Sequence, residues 1–383
     1  MIYQEFINKN KEVQLNLLEY LDQNDSNDTN FENLIKSIKD LKIEESKQEM
    51  DLFIKLILTI ANNHHRTANF FNKIDQIIKI LLNSIKIHFS EYEIFNIFKE
   101  NKRILLFLSE EKIIDLHNYI SIEHYYPEFS KLYDFDVIEY HQYLISPLKI
   151  EGGKIIKADP ESIEEFKKNQ KNGENETYIC ELIRNDLIDE FIIYINKTNL
   201  DLNSTIEMSI FETNSFLKLF SPITSLIEYA VFHGSIQIFN YLRSNKAEIK
   251  SSIWMHAIHG RNAEIIQQLE ELHIEPNDKS FLKCLFESIK CHHNEIEKYI
   301  KDNLINPKYL RSWYNIKEEE NKCAFQYYNY EIFAVDLNLK NIYRFASQFN
   351  YLKLFKNLYN NKETNLQKLD IFLLFELIMM KFK

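Results

Sequence analysis

The chain has 383 residues, with 57 acidic and 46 basic side chains and a formal net charge of −11. Acidic and basic residues alternate on a fine scale, which disfavours nucleic-acid binding because that function needs a clustered basic face. The apolar content of 45% argues against wholesale disorder. Five Gly and six Pro are too few for a β-sandwich or barrel full of tight turns. We therefore expect an all-α fold.

Residues 1–125 are predicted to form a helical N-terminal region. Residues 70–81 carry apolar side chains at the spacing of an amphipathic helix, and 50–58 is apolar nearly all round, which is typical of a buried helix. Ser90 is a favourable N-cap for the helix that follows it. The first residues hold no apolar run of signal-peptide length. We expect a cytoplasmic protein that does not bind a membrane.

Residues 126–176 are predicted to form an irregular connecting segment, because they concentrate residues that break regular structure. These are Pro127, Pro147, Pro160, the pair Gly152-Gly153 and the polar run from Lys167 to Asn172. This segment is the best candidate for a domain boundary in the sequence.

Residues 177–383 are predicted to form ankyrin-like repeats, with the clearest unit from Ser225 to Ala247. When the ankyrin pattern T-P-L-H-x-A is placed on it, Ser225 takes the Thr place and Ala230 takes the Ala place. Gly234 then takes the place of the turn glycine. A helix pair of this kind cannot bury its apolar face alone and must stack on neighbouring pairs. The expected architecture is a helical-repeat solenoid.

Further copies follow with irregular spacing. Ala257, Ser288 and Ala346 take the Ala place in later units, and Ala324 takes it in a compressed one whose step of 22 residues to Ala346 is too short for a full unit. The chain ends with an apolar run over 369–383. Solenoids normally close with a polar face. We therefore expect this last helix to self-associate or to pack back on the preceding repeat.

Five stretches are distinctive: Ala61-Asn62-Asn63-His64-His65-Arg66 with Asn69-Phe70-Phe71, Glu93 to Lys99, Asn101 to Leu108, Ile179 to Phe191, and Leu226 to Leu242. Together they resemble a family of protist ankyrin-repeat proteins that carry a helical N-terminal region of unknown function. The resemblance transfers no catalytic residue. It implies a non-catalytic module that binds another protein of unknown identity.

The resemblance also implies which residues meet the partner, because ankyrin partners usually bind the inner surface formed by hairpin tips and first helices. The implied contacts are Thr224, Phe232, His233, Ser251, His259, Lys290, Cys291 and Gln348, with Lys340 as a further member and with Leu282 and Phe349 as members that core packing would equally explain. The sharpest expectation is that Phe232 and His259 are exposed on one face.

A second interpretation is an enzyme or metal protein with a catalytic N-terminal region and repeats that select substrates. Cys284, Cys291, His292 and His293 are zinc-ligand types within ten residues. However, they lack CxxC-type spacing, and consecutive residues rarely converge on one tetrahedral ion. The sequence holds no Gly-rich phosphate loop and no hydrolase motif. We therefore expect no cofactor, no metal and no catalytic residue.

Overall fold

The computed structural model describes residues 2–23, 28–67, 69–115, 148–151, 154–157, 160–207, 209–220, 223–310 and 315–360. Within these ranges the chain is overwhelmingly α-helical, so the expected all-α class is confirmed. The predicted apolar last helix, 369–383, lies outside the described residues, and so do residues 116–125 of the N-terminal region and 126–147 of the connecting segment.

Nineteen α-helices lie in the described ranges. In chain order they are α1 (Ile2–Asp22), α2 (Asp28–Asp40), α3 (Lys47–Asn63), α4 (Phe70–His88), α5 (Glu91–Phe98), α6 (Lys102–Glu110), α7 (Pro160–Asn172), α8 (Tyr178–Arg184), α9 (Ile188–Thr198), α10 (Ser215–Phe220), α11 (Leu226–His233), α12 (Ile236–Ser244), α13 (Ile253–Gly260), α14 (Ala263–Glu271), α15 (Leu282–Lys290), α16 (Asn294–Tyr299), α17 (Ile316–Gln326), α18 (Leu339–Gln348) and α19 (Leu352–Asn360). Short 3₁₀ segments cover Ile43–Glu45 and Pro307–Tyr309, and a π-helical turn, Ile300–Leu304, continues α16.

The connecting segment differs from the sequence expectation in its described part. An antiparallel hairpin joins β1 (Leu148–Glu151) to β2 (Lys154–Lys157), with Leu148 paired to Lys157. Helix α7 then runs through the polar stretch for which the sequence predicts irregular structure. A polar composition alone does not prevent a helix, because Lys, Glu and Gln are good helix formers.

Many helices that come first in a predicted helix pair, here called first helices, end with the same C-terminal motif. Among the described residues, the chain takes the left-handed conformation just after α8, α11, α13, α15, α17 and α18, at Asp186, Gly234, Arg261, His292, Tyr328 and Asn350. In five of these cases the next amide donates back to the carbonyl four residues before the left-handed residue, as in Ser235 to Ala230 (2.9 Å) and Tyr351 to Ala346 (2.8 Å). This is the Schellman arrangement, which stops a helix and turns the chain sharply.

The chain divides into two compact units. The first consists of Met1–Ile60, Arg66–Ala68 and Ser280–Lys383, and the second of Ala61–His65 and Asn69–Lys279. The first unit therefore draws on both ends of the chain. The three-part division into 1–125, 126–176 and 177–383 stays a prediction about the sequence.

The first unit has an aromatic core. Phe325 stacks on Phe333 with ring centroids 4.1 Å apart and meets the edge of the Tyr351 ring at 5.2 Å. Phe6 of α1 reaches the same cluster, 6.0 Å from both Tyr330 and Tyr351. Aromatic pairs in such geometry add to the stability that apolar burial supplies. Part of the aromatic-rich stretch after α17 is therefore core.

Helix α1 is fixed to the loop after α17 by a buried amide. Gln14 is fully buried, donates from Nε2 to Asn329 Oδ1 (3.0 Å), and accepts at Oε1 from the Tyr330 amide (2.6 Å). Asn329 in turn donates to the Ile289 carbonyl and to Asn294 Oδ1. Because each buried polar group needs a partner, this chain of bonds specifies how α1 docks.

The second unit contains three helix hairpins in succession, α8–α9, α11–α12 and α13–α14. The first helices contact one another in the order α8, α11, α13, and the second helices do so in the order α9, α12, α14. The side chain of Asp186 caps α12 by accepting from the amides of Gln237 and Ile238, both at 3.0 Å. The first hairpin thus caps the second helix of the next one, whereas α14 is capped by its own Asn262.

Two glycines allow α11 and α13 to approach closely. A Cβ at Gly260 would lie 2.0 Å from the Val231 carbonyl oxygen, far inside contact distance. A Cβ at Gly234 would lie 2.7 Å from the Gly260 carbonyl oxygen, and Gly234 also has a φ of +71°, which glycine tolerates best. Backbone packing at this point requires both glycines.

Candidate interaction surface

The eight predicted partner contacts are distributed over both units, and half of them are buried. Thr224 is 1% exposed, Phe232 6%, His259 1% and Cys291 0%, whereas His233, Ser251 and Lys290 are half-buried and Gln348 is exposed. The expectation that Phe232 and His259 are exposed is therefore wrong. They do share a face, because their rings stack with centroids 4.8 Å apart. Thr224 and Cys291 are likewise inaccessible to a partner.

Helix α10 explains the burial of Phe232 and His259. Phe216 of this helix stacks on Phe232 at 5.9 Å and lies 4.6 Å from the His259 ring. The segment is held in place because Thr213 donates from its amide and hydroxyl to the Gly173 carbonyl, at 3.1 and 2.7 Å. The residues between the first two hairpins thus cover Phe232 and His259, two of the positions that the resemblance assigns to a partner.

A buried polar network lies between the starts of α11 and α13. Glu228 accepts from the Ser225 amide and hydroxyl, both at 2.9 Å, and from the Ser252 hydroxyl. His256 Nδ1 lies 3.0 Å from the Ser252 carbonyl, and its Nε2 lies 3.5 Å from the Thr224 hydroxyl. The network includes a capping box at the start of α11.

The two titratable groups of this network, His256 and Glu228, have shifted pKa values. Burial lowers the pKa of His256 to about 4, against the attraction of Glu228. For Glu228, burial works against ionisation, but the attraction of His256 and the hydrogen bonds from Ser225 and Ser252 outweigh it and lower its pKa. His256 is therefore neutral near pH 7, and the network joins two helices without offering an accessible base.

The polar motifs of the N-terminal region also serve packing in the second unit. Asn101 caps α6 at the Ile104 amide (3.0 Å) and donates to Asn62 Oδ1 (2.7 Å). Arg103 forms two bonds to Asp75, at 3.0 and 2.5 Å, and its Nε donates to the Lys171 carbonyl. Burial raises the pKa of Asp75 despite this pairing. These buried, mutually bonded groups are structural.

The histidine pair in the same region is likewise engaged. His64 is 1% exposed, with its Nε2 3.4 Å from Arg261 Nη1, and His65 Nδ1 lies 3.2 Å from the His259 carbonyl. A general base must reach a substrate proton. Both side chains contact the C-terminal end of α13, where His259 lies in the last turn and Arg261 follows the helix.

Cys180, Cys284 and Cys291 are buried thiols, and Cys323 is half-buried. Burial raises the pKa of Cys180 to about 11 and that of Cys323 to about 12, and it also raises the pKa of Cys291. A buried, protonated thiol is a poor nucleophile. These three side chains therefore lack the low pKa of catalytic cysteines.

The four zinc-ligand types near 284–293 have separate environments. His292 Nε2 lies 2.9 Å from the Tyr327 carbonyl, and Cys291 Sγ lies 4.0 Å from Glu287 Oε1. His292 itself is the left-handed residue that ends α15, four residues after Ser288, just as Gly234 lies four residues after Ala230. In the described part of the chain, Cys284, Cys291, His292 and His293 do not form one ligand set.

A cleft of ≈ 200 Å³ lies in the first unit. It is lined by Ile2, Glu5, Phe6, Lys9, Asn10, Leu41, Glu49, Lys353 and Asn357. Glu49 pairs with Lys353, and Glu5 pairs with Lys9 at 2.7 Å. Its charged groups thus neutralise one another, which does not favour a charged substrate.

An exposed apolar surface lies instead on the first hairpin of the second unit. Tyr178 of α8 is 52% exposed and Ile193 of α9 is 66% exposed. The rings of Tyr178 and Tyr194 meet edge to face at 5.5 Å, so both helices contribute to one surface. Glu181, Asp189 and Glu190 are exposed beside them. We call these six residues the α8–α9 patch.

The sequence analysis missed this patch because it aligned the α8–α9 hairpin only as a degenerate repeat. A usable signal is present. Ile193 lies two residues from both buried Phe191 and buried Ile195, so on a helix it points away from the face that those two residues define. An apolar residue at such a position is unexplained by core packing.

No family model, no curated protein and no solved structure matches the chain. Among the described residues, no helix combines the length and the apolar character that crossing a bilayer requires.

Proposed function

We propose that the chain is a non-catalytic protein-interaction module built on degenerate ankyrin-like repeats. The observation that carries the proposal is the Schellman motif at the ends of five first helices, α8, α11, α15, α17 and α18. The Ala-site residues Ala230, Ser288, Ala324 and Ala346 supply the accepting carbonyl in four of these cases. A motif repeated at aligned positions is what a helical solenoid requires.

The order of helix contacts in the second unit supports the same proposal. Successive hairpins that contact through matching helices bury their apolar faces against one another and leave their outer faces available for a partner. The buried polar groups described above are engaged in packing. Of the residues that the resemblance assigns to partner contact, His233, Ser251, Lys290 and Gln348 keep at least partial exposure and stay candidates.

The proposal is tested by the native mass of the chain in extract of its source cells. An interaction module is expected to migrate well above its own 46.1 kDa, and cross-linking before affinity capture should retain one partner protein in constant ratio. A chain that migrates at its own mass and captures nothing would contradict the proposal.

Metal analysis of the purified protein tests the competing enzyme or metal-protein class. We expect no transition metal in stoichiometric amount. A stoichiometric metal that stays bound through dialysis against a chelator would instead favour that class.

A further inference from the structure

We propose that the α8–α9 patch binds a cationic amphipathic segment of a partner protein, a proposal that rests on the interaction function above and specifies its partner. Tyr178 and Ile193 are more than half exposed although both are large and apolar. Isolated exposed apolar residues are common, but apolar side chains grouped with aromatic rings often mark an interaction site. Tyrosine is also enriched among residues that dominate binding energy.

The geometry places these side chains on one accessible strip. Tyr178 and Glu181 lie three residues apart on α8 and therefore share a helix face. On α9, Asp189 and Ile193 lie four residues apart, and Tyr194 reaches across to Tyr178. The opposite side of α9 carries Phe191 and Ile195, which are 0% and 6% exposed. The strip thus faces away from the hairpin core.

The charge of the exposed residues around the apolar strip indicates which kind of partner segment the patch binds. The exposed charged residues between 176 and 201 are Glu176, Glu181, Asp189, Glu190 and Asp201 on the acidic side and Lys197 on the basic side. Of the other charges here, Glu174 is paired with Arg184 at 3.1 Å, and Asp186 caps α12. Glu176 and Asp201 accept from the Ser209 hydroxyl and the Asn203 amide, and the exposed carboxylates that share helices with the apolar strip are Glu181, Asp189 and Glu190. A segment with apolar residues on one helical face and Lys or Arg beside them complements this surface in both respects.

The experiment uses the full chain and a synthetic amphipathic peptide with leucine on one face and lysine on the other, with binding measured by fluorescence anisotropy. In the double variant Tyr178→Ser with Ile193→Ser, we expect affinity to fall by about tenfold or more because the apolar contact is lost. The matched control is Ile87→Ser, which removes an apolar side chain that is 79% exposed on α4 of the same unit. It should leave affinity unchanged.

The charge contribution is measured with a second pair of variants. Asp189→Asn with Glu190→Gln should also weaken binding by about tenfold at low salt, and raising the salt should weaken the wild-type complex in the same way. The control Glu264→Gln with Glu271→Gln removes two negative charges from α14 instead. It should keep wild-type affinity.

Four results would overturn the assignment. These are a wild-type chain that does not bind the peptide, an affinity unaffected by the Tyr178 and Ile193 changes, and equal losses in the two charge variants, which would indicate only general attraction to an acidic protein. The fourth is a concentration-dependent dimer in sedimentation that Ile193→Ser abolishes, because the occupant would then be a second copy of this chain.

Two outcomes distinguish a wrong assignment of the α8–α9 patch from a wrong interaction function. If the double variant Tyr178→Ser with Ile193→Ser still captures the cellular partner in wild-type amount, the chain is an interaction module that uses another surface. If the wild-type chain captures no partner and migrates at its own mass, the interaction function itself fails.

Discussion

Hairpins of consecutive helices occur in both compact units, including α15–α16 and α18–α19 of the first unit, but α17 of the first unit has no second helix directly after it. In the second unit, each second helix follows its first helix directly, as α12 follows α11 and α14 follows α13. In the first unit, α17 is followed by the helix-free stretch 327–338, and α1 from the other end of the chain packs against it through Gln14. α1 also contacts α19.

From this comparison we propose that α1, which bonds to the loop after α17 and contacts α19, takes the place of a second helix that the α17 hairpin lacks. The step of 22 residues from Ala324 to Ala346 is then short because one helix comes from elsewhere in the sequence. A regular arrangement of helices in space does not require a regular repeat in the sequence. Packing requires a helix at a given position in the stack and not a particular connection to it.

The largest expected effect concerns the contiguous hairpins. Gly260→Ala should destabilise the second unit by about 4 kcal/mol or more, because the added Cβ would overlap the Val231 carbonyl and force α11 and α13 apart. Urea unfolding followed by circular dichroism measures this. Gln267→Ala, an exposed change on α14, is the control, and a wild-type midpoint for Gly260→Ala would show that the two helices are not in close contact.

The next effect concerns the non-contiguous hairpin. Gln14→Ala should cost about 2–3 kcal/mol, since it removes the donor to the buried Oδ1 of Asn329 and the acceptor of the Tyr330 amide, while Asn329 Nδ2 keeps its own bonds. The urea midpoint reports the loss. Gln4→Ala on the exposed side of α1 should have little effect, and equal losses in the two variants would remove the specific role of Gln14.

Much of this architecture follows from sequence patterns, and the exceptions have physical causes. The Ser225–Ala247 helix pair and the turn at Gly234 are observed at the predicted positions because local propensity and capping determine them. Ser90 also caps α5 as predicted. The burial of Phe232 and His259 could not be predicted, because it depends on Phe216 of α10, whose docking is a tertiary event.

A smaller expected effect is the pH dependence of the stability of the second unit. The lowered pKa of His256 means that the folded chain binds this proton less readily than the unfolded chain, so its contribution to stability is present above pH 6.5 and is lost as the pH falls towards about 4. Glu228, whose pKa is also lowered, acts in the same direction. The second unit should therefore be acid-sensitive.

The variant His256→Asn measures this contribution. Between about pH 7 and pH 5 the wild-type chain should lose about 2 kcal/mol more unfolding free energy than the variant. His273→Asn replaces an exposed histidine in the same unit and should keep the wild-type slope. An unchanged slope in His256→Asn would show that His256 is not buried in neutral form.

The smallest expected effect concerns the exposed apolar positions. Ile193→Ser and Ile87→Ser should each change the unfolding free energy by less than about 0.5 kcal/mol, because both side chains are mostly in water already. Thermal unfolding compares them. A large loss for Ile193→Ser alone would mean that Ile193 stabilises the fold, and its exposure would then need no partner.

The most direct test of the central claim, that α1 completes the first unit, is hydrogen exchange by mass spectrometry on wild-type chain and Gln14→Ala. The account predicts that the variant exchanges faster both in 2–22 and in 316–358, while 226–271 keeps wild-type protection. Faster exchange confined to 2–22, with 316–358 unchanged, would contradict it.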